Sequence, residues 1–190
     1  MMQIDSFHKR LKDTTAPLHS KLEGLELPKK LVDKRLSKQE YAIYLQRLHS
    51  LHAKVEPKLQ QFAWSEYGIT VSNYMRLQLL EKDLQTVGAA REKSSANDFD
   101  IASFDEAFGY LYVLTGSTMG GAILSQKVLD LFGEGNQYFN AFGSQTHQRW
   151  MQFLAALAKY TQQNGDAAKE GVIQGAIACY ELVEEELDAN

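Results

Sequence analysis

The chain is predicted to be all-α and to fold as one helical bundle, a single domain over residues 1–190. Apolar residues recur at three- and four-residue steps over long stretches, and only three prolines interrupt them. No strand pattern, internal repeat or low-complexity linker divides the chain. At 190 residues it can bury a sizeable core without disulfides or a structural metal.

The elements follow in order. Phe7, Leu11, Leu18, Leu22 and Leu25 mark a first helical region. Pro17 interrupts it, as a kink or as the first turn of a new helix capped by Thr14 or Thr15. Residues 24–33, with Pro28, read as a turn-like connection. Ser37-Lys-Gln-Glu40 is a capping-box pattern, and it opens a long amphipathic helix through Tyr41, Leu45, Leu48, Leu51, Val55 and Leu59. Ser72 is expected to cap a helix through Met75, Leu79, Leu80 and Leu84 that ends at Gly88, before a polar loop over 89–102. A second capping-box pattern, Ser103-Phe-Asp-Glu106, opens a helix that runs through Val128 and Leu131 to Gly133. Residues 133–137 are a loop, and two last helices fit 143–163 and 166–188. The final run, Glu184-Glu185-Glu186, reads as a solvated face.

The helix from Ser103 is unusual. Gly109, Gly116, Gly120 and Gly121 fall within it, and each interior glycine costs about 0.5–1 kcal/mol relative to alanine. The first three project onto one face, so the absent side chains form a strip. A strip of that kind permits close backbone approach, either by a second helix or by a flat ligand.

Composition narrows the class without naming a function. A net charge of −4 with no basic stripe argues against nucleic acid as a main partner. Cys179 is the one cysteine and lies in an apolar run, as expected of a buried thiol in a reducing compartment. The polar N-terminus has no signal-like apolar region and no 18-residue uncharged apolar run occurs, so no membrane span is expected and the protein reads as soluble and cytoplasmic. Gly116 and Gly120 match the small-residue spacing of membrane helix dimers, but Gln126, Lys127 and Asp130 follow too soon for a span.

Five histidines are present: His8, His19, His49, His52 and His147. His49 and His52, with Glu56, have a spacing that could share a metal. The paired Glu-x-x-His of ferritin-like di-iron bundles is absent. No P-loop, H-E-x-x-H helix or G-x-S-x-G elbow occurs.

Two segments carry a resemblance. Leu11-Lys-Asp-Thr-Thr-Ala-Pro-Leu-His19-Ser-Lys-Leu-Glu23 resembles the N-terminal segment of haem oxygenases, whose pattern L-K-x-x-T-x-x-x-H-x-x-x-E supplies the proximal haem ligand. Residues 110–121 resemble that family's distal-helix segment, in particular the bacterial branch with a G-S-x-x-G-G core. Residues 36–45 are also similar, and the likeness is thin from 60 to 100.

The resemblance implies a single haem oxygenase-like domain with a kinked, glycine-rich distal helix, and it assigns roles. His19 would ligate the iron, as neutral imidazole suits it, and Glu23 would orient the ring. Gly116, Ser117 and Gly120 would form the catalytic distal wall, with Gly121 beside them. Lys12, Arg149 and the phenols of Tyr110 or Tyr112 would hold the propionates. Many members have aspartate where this chain has Ser117, a weaker organiser of a water chain. The implied reaction opens haem oxidatively to biliverdin, carbon monoxide and iron, with haem as cofactor and substrate, O2 as oxidant and electrons from a separate ferredoxin or reductase. The chain has no nicotinamide or flavin fingerprint. Lys9, Arg10, Lys12, Lys21, Lys29 and Lys30 could form a local basic patch for an acidic donor.

Three other readings compete. One is a haem carrier or sensor of the same fold with little turnover. Another is a haem-free helical relative, which would need a placed nucleophilic cysteine or a Glu/His/Asp cluster that is not seen. The last is an interaction domain whose glycines serve only helix packing.

Overall fold

A computed structural model describes residues 6–91 and 99–188. The polar N-terminal residues and much of the expected 89–102 loop lie outside the described residues. Eight α-helices and four 3-10 turns make up the described secondary structure. The helices are α1 (Ser6–Glu23), α2 (Glu26–Val32), α3 (Lys38–Leu59), α4 (Leu77–Val87), α5 (Phe104–Gly116), α6 (Gly121–Phe132), α7 (Gln137–Asn140) and α8 (Thr146–Asp188).

Helix α1 runs through Pro17 without restarting. An internal proline costs about 3 kcal/mol, and burial of Phe7 and Leu11, about 1.5–3 kcal/mol each, offsets it. Residues 24–33 are not a simple connection. Leu27 and Leu31, four apart and both buried, nucleate α2, and Pro28 sits in its first turn, where a missing N–H is harmless. The Ser37–Glu40 capping box forms in full. At Ser103 only half forms, since Ser103 accepts from the Glu106 N–H while the Glu106 carboxylate turns to the Ala102 N–H at 3.0 Å.

Ser72 does not cap α4. It lies in a 3-10 turn, Val71–Tyr74, and α4 begins at Leu77. The cap comes from α3, where the Glu56 carboxylate accepts from the Arg76 N–H at 2.6 Å and the Leu77 N–H at 3.0 Å. The same oxygen lies 2.7 Å from Nδ1 of the fully buried His52.

The expected glycine helix is split into α5 and α6 by a 3-10 turn, Ser117–Gly120. The cause is local competition for carbonyls. Ser117 Oγ donates to the Leu114 carbonyl at 2.8 Å, Thr118 Oγ1 to the Thr115 carbonyl at 2.7 Å, and the Arg76 guanidinium also donates to the Leu114 carbonyl at 2.8 Å. Side-chain donors drawing on the carbonyls of the last turn bend a helix. The stretch 104–132 is long and apolar enough to cross a membrane by composition, but most of it is buried inside the protein.

Helices α5 and α8 form the central pair. A Cβ on Gly109 would lie 2.3 Å from the Val172 carbonyl oxygen, and one on Gly175 would lie 2.4 Å from that of Glu106. At Gly171 a Cβ would instead lie 2.5 Å from the Asp105 side chain. Gly109 therefore serves helix packing, and Gly171 and Gly175 are its counterparts on α8. Next to this contact, Trp64, Phe104, Phe108 and Tyr160 pack ring on ring with centroids 4.3–5.3 Å apart. Helix α8 breaks at Gly165, which has φ 76°. The final acidic run is only partly solvated, because Glu186 is buried against Lys54 and Glu184 pairs with Lys21. Cys179 is fully buried, and burial pushes its thiol pKa up.

Two outcomes are expected. Alanine at Gly109 or Gly175 should destabilise the fold by about 1–3 kcal/mol or more in urea unfolding, since backbone atoms must move. The second concerns pH. Burial holds the pKa of His52 below the usual 6.5 despite the Glu56 hydrogen bond, and burial does the same to His49 against Glu81. The unfolded chain takes up protons first, so this stability is full above about pH 6.5 and falls as pH drops through the lower folded values. The urea midpoint should fall on acidification from about pH 7, with a shallower slope for His49→Gln/His52→Gln.

Candidate functional site

Helices α1, α2, α3, α5, α6, α7 and α8 and the Ser117–Gly120 turn enclose a cavity of about 650 Å³, within the range of small-molecule sites. Most of its wall is apolar: Leu31, Leu48, Leu51, Val113, Leu124, Phe139 and Val183 contribute. His19 and Glu23 enter from α1. The His19 Nδ1 lies 3.7 Å from the Glu23 carboxylate, and the ring meets Tyr180 edge-on. With Nδ1 turned to Glu23, Nε2 is the ring nitrogen left for a ligand. His19 is the one histidine lining the cavity.

Gly116, Ser117, Gly120 and Gly121 line another wall. A Cβ on Gly121 would lie 2.3 Å from the Phe139 carbonyl oxygen, so that glycine is demanded by α7. Gly116 and Gly120 differ. A Cβ at 116 would make only ordinary contact with Trp150 at 3.6 Å, and one at 120 would meet nothing within 4 Å. Both have negative φ, so neither backbone conformation requires glycine. The protein itself gives no reason for glycine at these two positions, and both face the cavity.

The cavity has a polar corner that the sequence did not reveal. Arg76, buried and within an otherwise apolar run, donates to Ser117 Oγ at 2.9 Å and to the Leu114 carbonyl, and lies 4.4 Å from the Tyr138 ring centroid. The Tyr138 hydroxyl is 3.0 Å from His52 Nε2. Glu56 can only accept at Nδ1, which fixes the proton there. Nε2 is then an acceptor and the tyrosine donates. Asp83 holds the start of α7 by accepting from the N–H groups of Gln137 and Tyr138 at 2.9 and 2.7 Å. The one signal in the sequence for Arg76 is a lone charge between Met75 and Leu77.

The remaining expected site residues lie elsewhere. Lys12 is exposed on α1 and does not line the cavity. Tyr110 is buried against Phe99 and near Cys179. Tyr112 packs on His8 and Trp150 beside Thr15, and burial pushes its pKa up to about 12. Arg149 points away, donating to the Asn73 carbonyl and to Gln145 and stacking on Phe142. The lysine on the cavity wall is Lys29 of α2. His49 and His52 do not share a metal site. Both His52 nitrogens are taken, His49 Nε2 is 3.9 Å from Glu81, and the described residues contain no cluster of three metal-binding side chains. Of the six cations in the expected basic patch, Lys9, Arg10, Lys21 and Lys30 are in ion pairs.

Among curated proteins, none matches the chain. Solved structures do. The NO- and CO-bound heme oxygenase of Neisseria meningitidis is 20% identical, with a TM-score of 0.77 over 95% of this chain and 92% of that one. Heme oxygenase from Leptospira interrogans is 18% identical, with a TM-score of 0.78 over 97% and 100% of the two chains. Heme oxygenase-1 of the cyanobacterium Synechocystis, in complex with heme, is 16% identical, with a TM-score of 0.72 over 96% and 90%. At these identities the likeness is one of fold. The model of the family described as "Heme oxygenase" matches residues 5–187, nearly the whole described chain. With one imidazole and an unexplained glycine wall around an apolar cavity in this fold, the chain belongs to the haem oxygenase family.

Proposed function

We propose that this chain opens haem to biliverdin, carbon monoxide and iron, with His19 as the proximal ligand and the Gly116–Gly120 wall as the distal face. The observation that carries the reading is the pair Gly116 and Gly120, whose missing side chains no protein neighbour requires. They leave backbone without side chains at 116 and 120, where a planar macrocycle can approach closely, while Met119 of the same turn also lines the cavity. The residues present fit haem: an apolar cavity of suitable size, one imidazole at its edge and a lysine on its wall.

Bound haem supplies both the iron that activates O2 and the ring that is opened. The chain's own residues supply position and protons. Glu23 would hold the His19 ring through Nδ1 and leave Nε2 for the iron. Lys29 offers a cation to a propionate, the role expected of Lys12 and Arg149. Ser117 Oγ accepts from Arg76 and donates to the Leu114 carbonyl, which leaves it free to accept from a water. Tyr138, on the cavity wall, gives its hydroxyl proton to neutral His52, which Glu56 holds in turn, so its oxygen can only accept from a further donor. Arg76 keeps a permanent positive charge there.

A separate electron donor is part of this reading, supported by the lack of a nicotinamide or flavin fingerprint. With four of the six basic residues already paired and Lys29 on the cavity wall, a donor would meet Lys12, which forms no ion pair among the described residues. The buried free thiol of Cys179 supports a reducing, cytoplasmic setting. A haem carrier or sensor is the second reading, and the observation favouring it is that the Ser117 hydroxyl proton is already committed to Leu114.

Hemin titration followed by visible spectroscopy tests this, with reductant, O2 and catalase then added. Wild type should give a one-to-one Soret complex that His19→Ala disrupts, and the band should give way to biliverdin absorbance. A complex that never turns over selects the carrier, and no complex removes both readings. Glycine substitutions should separate packing from ligand contact. Gly120→Ala is expected to leave stability unchanged or raise it by about 0.4–1 kcal/mol while weakening hemin binding, whereas Gly121→Ala should unfold at lower urea. Arg76→Met should retain the Soret band and slow its loss.

A further inference from the structure

Arg149, displaced from its expected role, lies in a second concavity. The first turns of α8 present Gln148, Arg149, Gln152 and Lys159 along one face, and the chain around the Val71–Tyr74 turn forms the other wall with Asn73 and Tyr74. Between them lies a groove of about 560 Å³, separate from the haem cavity, with no residue common to the two linings.

Its chemistry is the reverse of the first cavity. Carboxamides, hydroxyls and two cations line it, and no carboxylate does. The cations are held by neutral groups only. Arg149 donates to the Asn73 carbonyl and the Gln145 amide oxygen and rests on Phe142 at 4.5 Å, while Lys159 donates to the Glu66 carbonyl at 2.8 Å and lies 5.5 Å from the Tyr67 ring centroid. Neither joins an ion pair among the described residues, although the chain carries a net charge of −4 and most of its lysines and arginines that face solvent are paired. A guanidinium has five N–H donors and an ammonium three. Two of the first and one of the second are used, so five remain. Ten residues of helix separate the two cations, about 15 Å along the axis, and long side chains from both ends can converge on one ligand.

We propose that this groove binds a small polar anion, with Arg149 and Lys159 taking its phosphate or carboxylate groups and Gln148, Gln152 and Asn73 pairing with its neutral polar atoms. The forked guanidinium matches either oxyanion in a bidentate manner. The polarity of the lining rules against a tetrapyrrole, so this is not a second haem position.

Calorimetric titration of the full chain at low ionic strength with inorganic triphosphate, ATP and citrate tests the proposal. It is followed in parallel by amide NMR of the Gln148 and Gln152 side chains. Saturable binding of at least one probe, with shifts in those carboxamides and a loss of at least about tenfold in affinity for Arg149→Gln/Lys159→Gln, is the expected result. Equal binding of triphosphate and ATP assigns recognition to phosphate, tighter ATP binding adds the base, and citrate alone assigns carboxylate. Urea unfolding of the double variant checks that it remains folded. No binding by any probe, or binding that the folded double variant retains in full, overturns the proposal.

Discussion

Much of this site depends on one carbonyl. The Leu114 oxygen at the end of α5 accepts from Ser117 and from Arg76, and the chain tightens there into the turn that carries Gly120. A straight continuation of α5 would carry Ser117 and Gly120 on along the helix axis. In the tighter turn Ser117 and Gly120 both line the cavity wall. Arg76 can reach that carbonyl only because α4 starts at Leu77, and α4 starts there because Glu56 caps it from α3. Three helices distant in sequence thus fix one turn.

The glycines divide by what surrounds them. Gly109 and Gly175 bring two backbones together, Gly171 admits the Asp105 side chain, and Gly121 admits a carbonyl from α7. These four are structural, and a methyl at any of them collides with another part of the chain. Gly116 and Gly120 touch nothing that forbids a side chain. A sequence wheel places Gly109 with Gly116 and Gly120 because it assumes one straight helix. Gly109 and Gly116 do share α5, and what separates them is the neighbour opposite, the α8 backbone at Gly109 and only the Trp150 ring at Gly116. The 3-10 turn shifts the register for Gly120 alone, so packing and ligand approach, alternatives in the sequence, are both realised at different glycines of the same stretch.

Legibility followed the range of the interactions. The Ser37–Glu40 box was readable because donor and acceptor are three residues apart, and the break near Gly165 because glycine stood between two apolar periodicities. The start of α4 was not, since its cap lies twenty residues earlier on another helix. Helix α7 is four residues long and is held by Asp83, which no local pattern announces. In the site, residues on the two resembling segments share the cavity: His19 and Glu23 with Gly116, Ser117, Gly120 and Gly121. The expected propionate partners Lys12, Tyr110, Tyr112 and Arg149 are not among the residues lining the cavity, since position along a helix does not give direction. Arg149 follows an acceptor, the Asn73 carbonyl, that only the folded chain brings near. Arg76 and Tyr138 were missed, and Lys29 was placed in a surface patch rather than on the cavity wall, because only tertiary packing brings them to the cavity.

The polar corner is expensive to keep. Burying Arg76, Glu56 and His52 together removes an ion, its counter-ion and an imidazole from water, and a well-packed apolar set of similar volume is often as stable or more so. Glu56 does not neutralise the guanidinium directly; it takes the backbone N–H groups of Arg76 and Leu77. The guanidinium is left to carbonyl, hydroxyl and ring partners, with its charge directed at the cavity wall. That arrangement is poor economy for stability alone and suits a cavity in which negative charge develops during reaction, because a fixed cation there needs no reorganisation when the charge appears. Proteins depart from the most stable packing where function requires it. Here the departure lies beside the two glycines that the fold does not need.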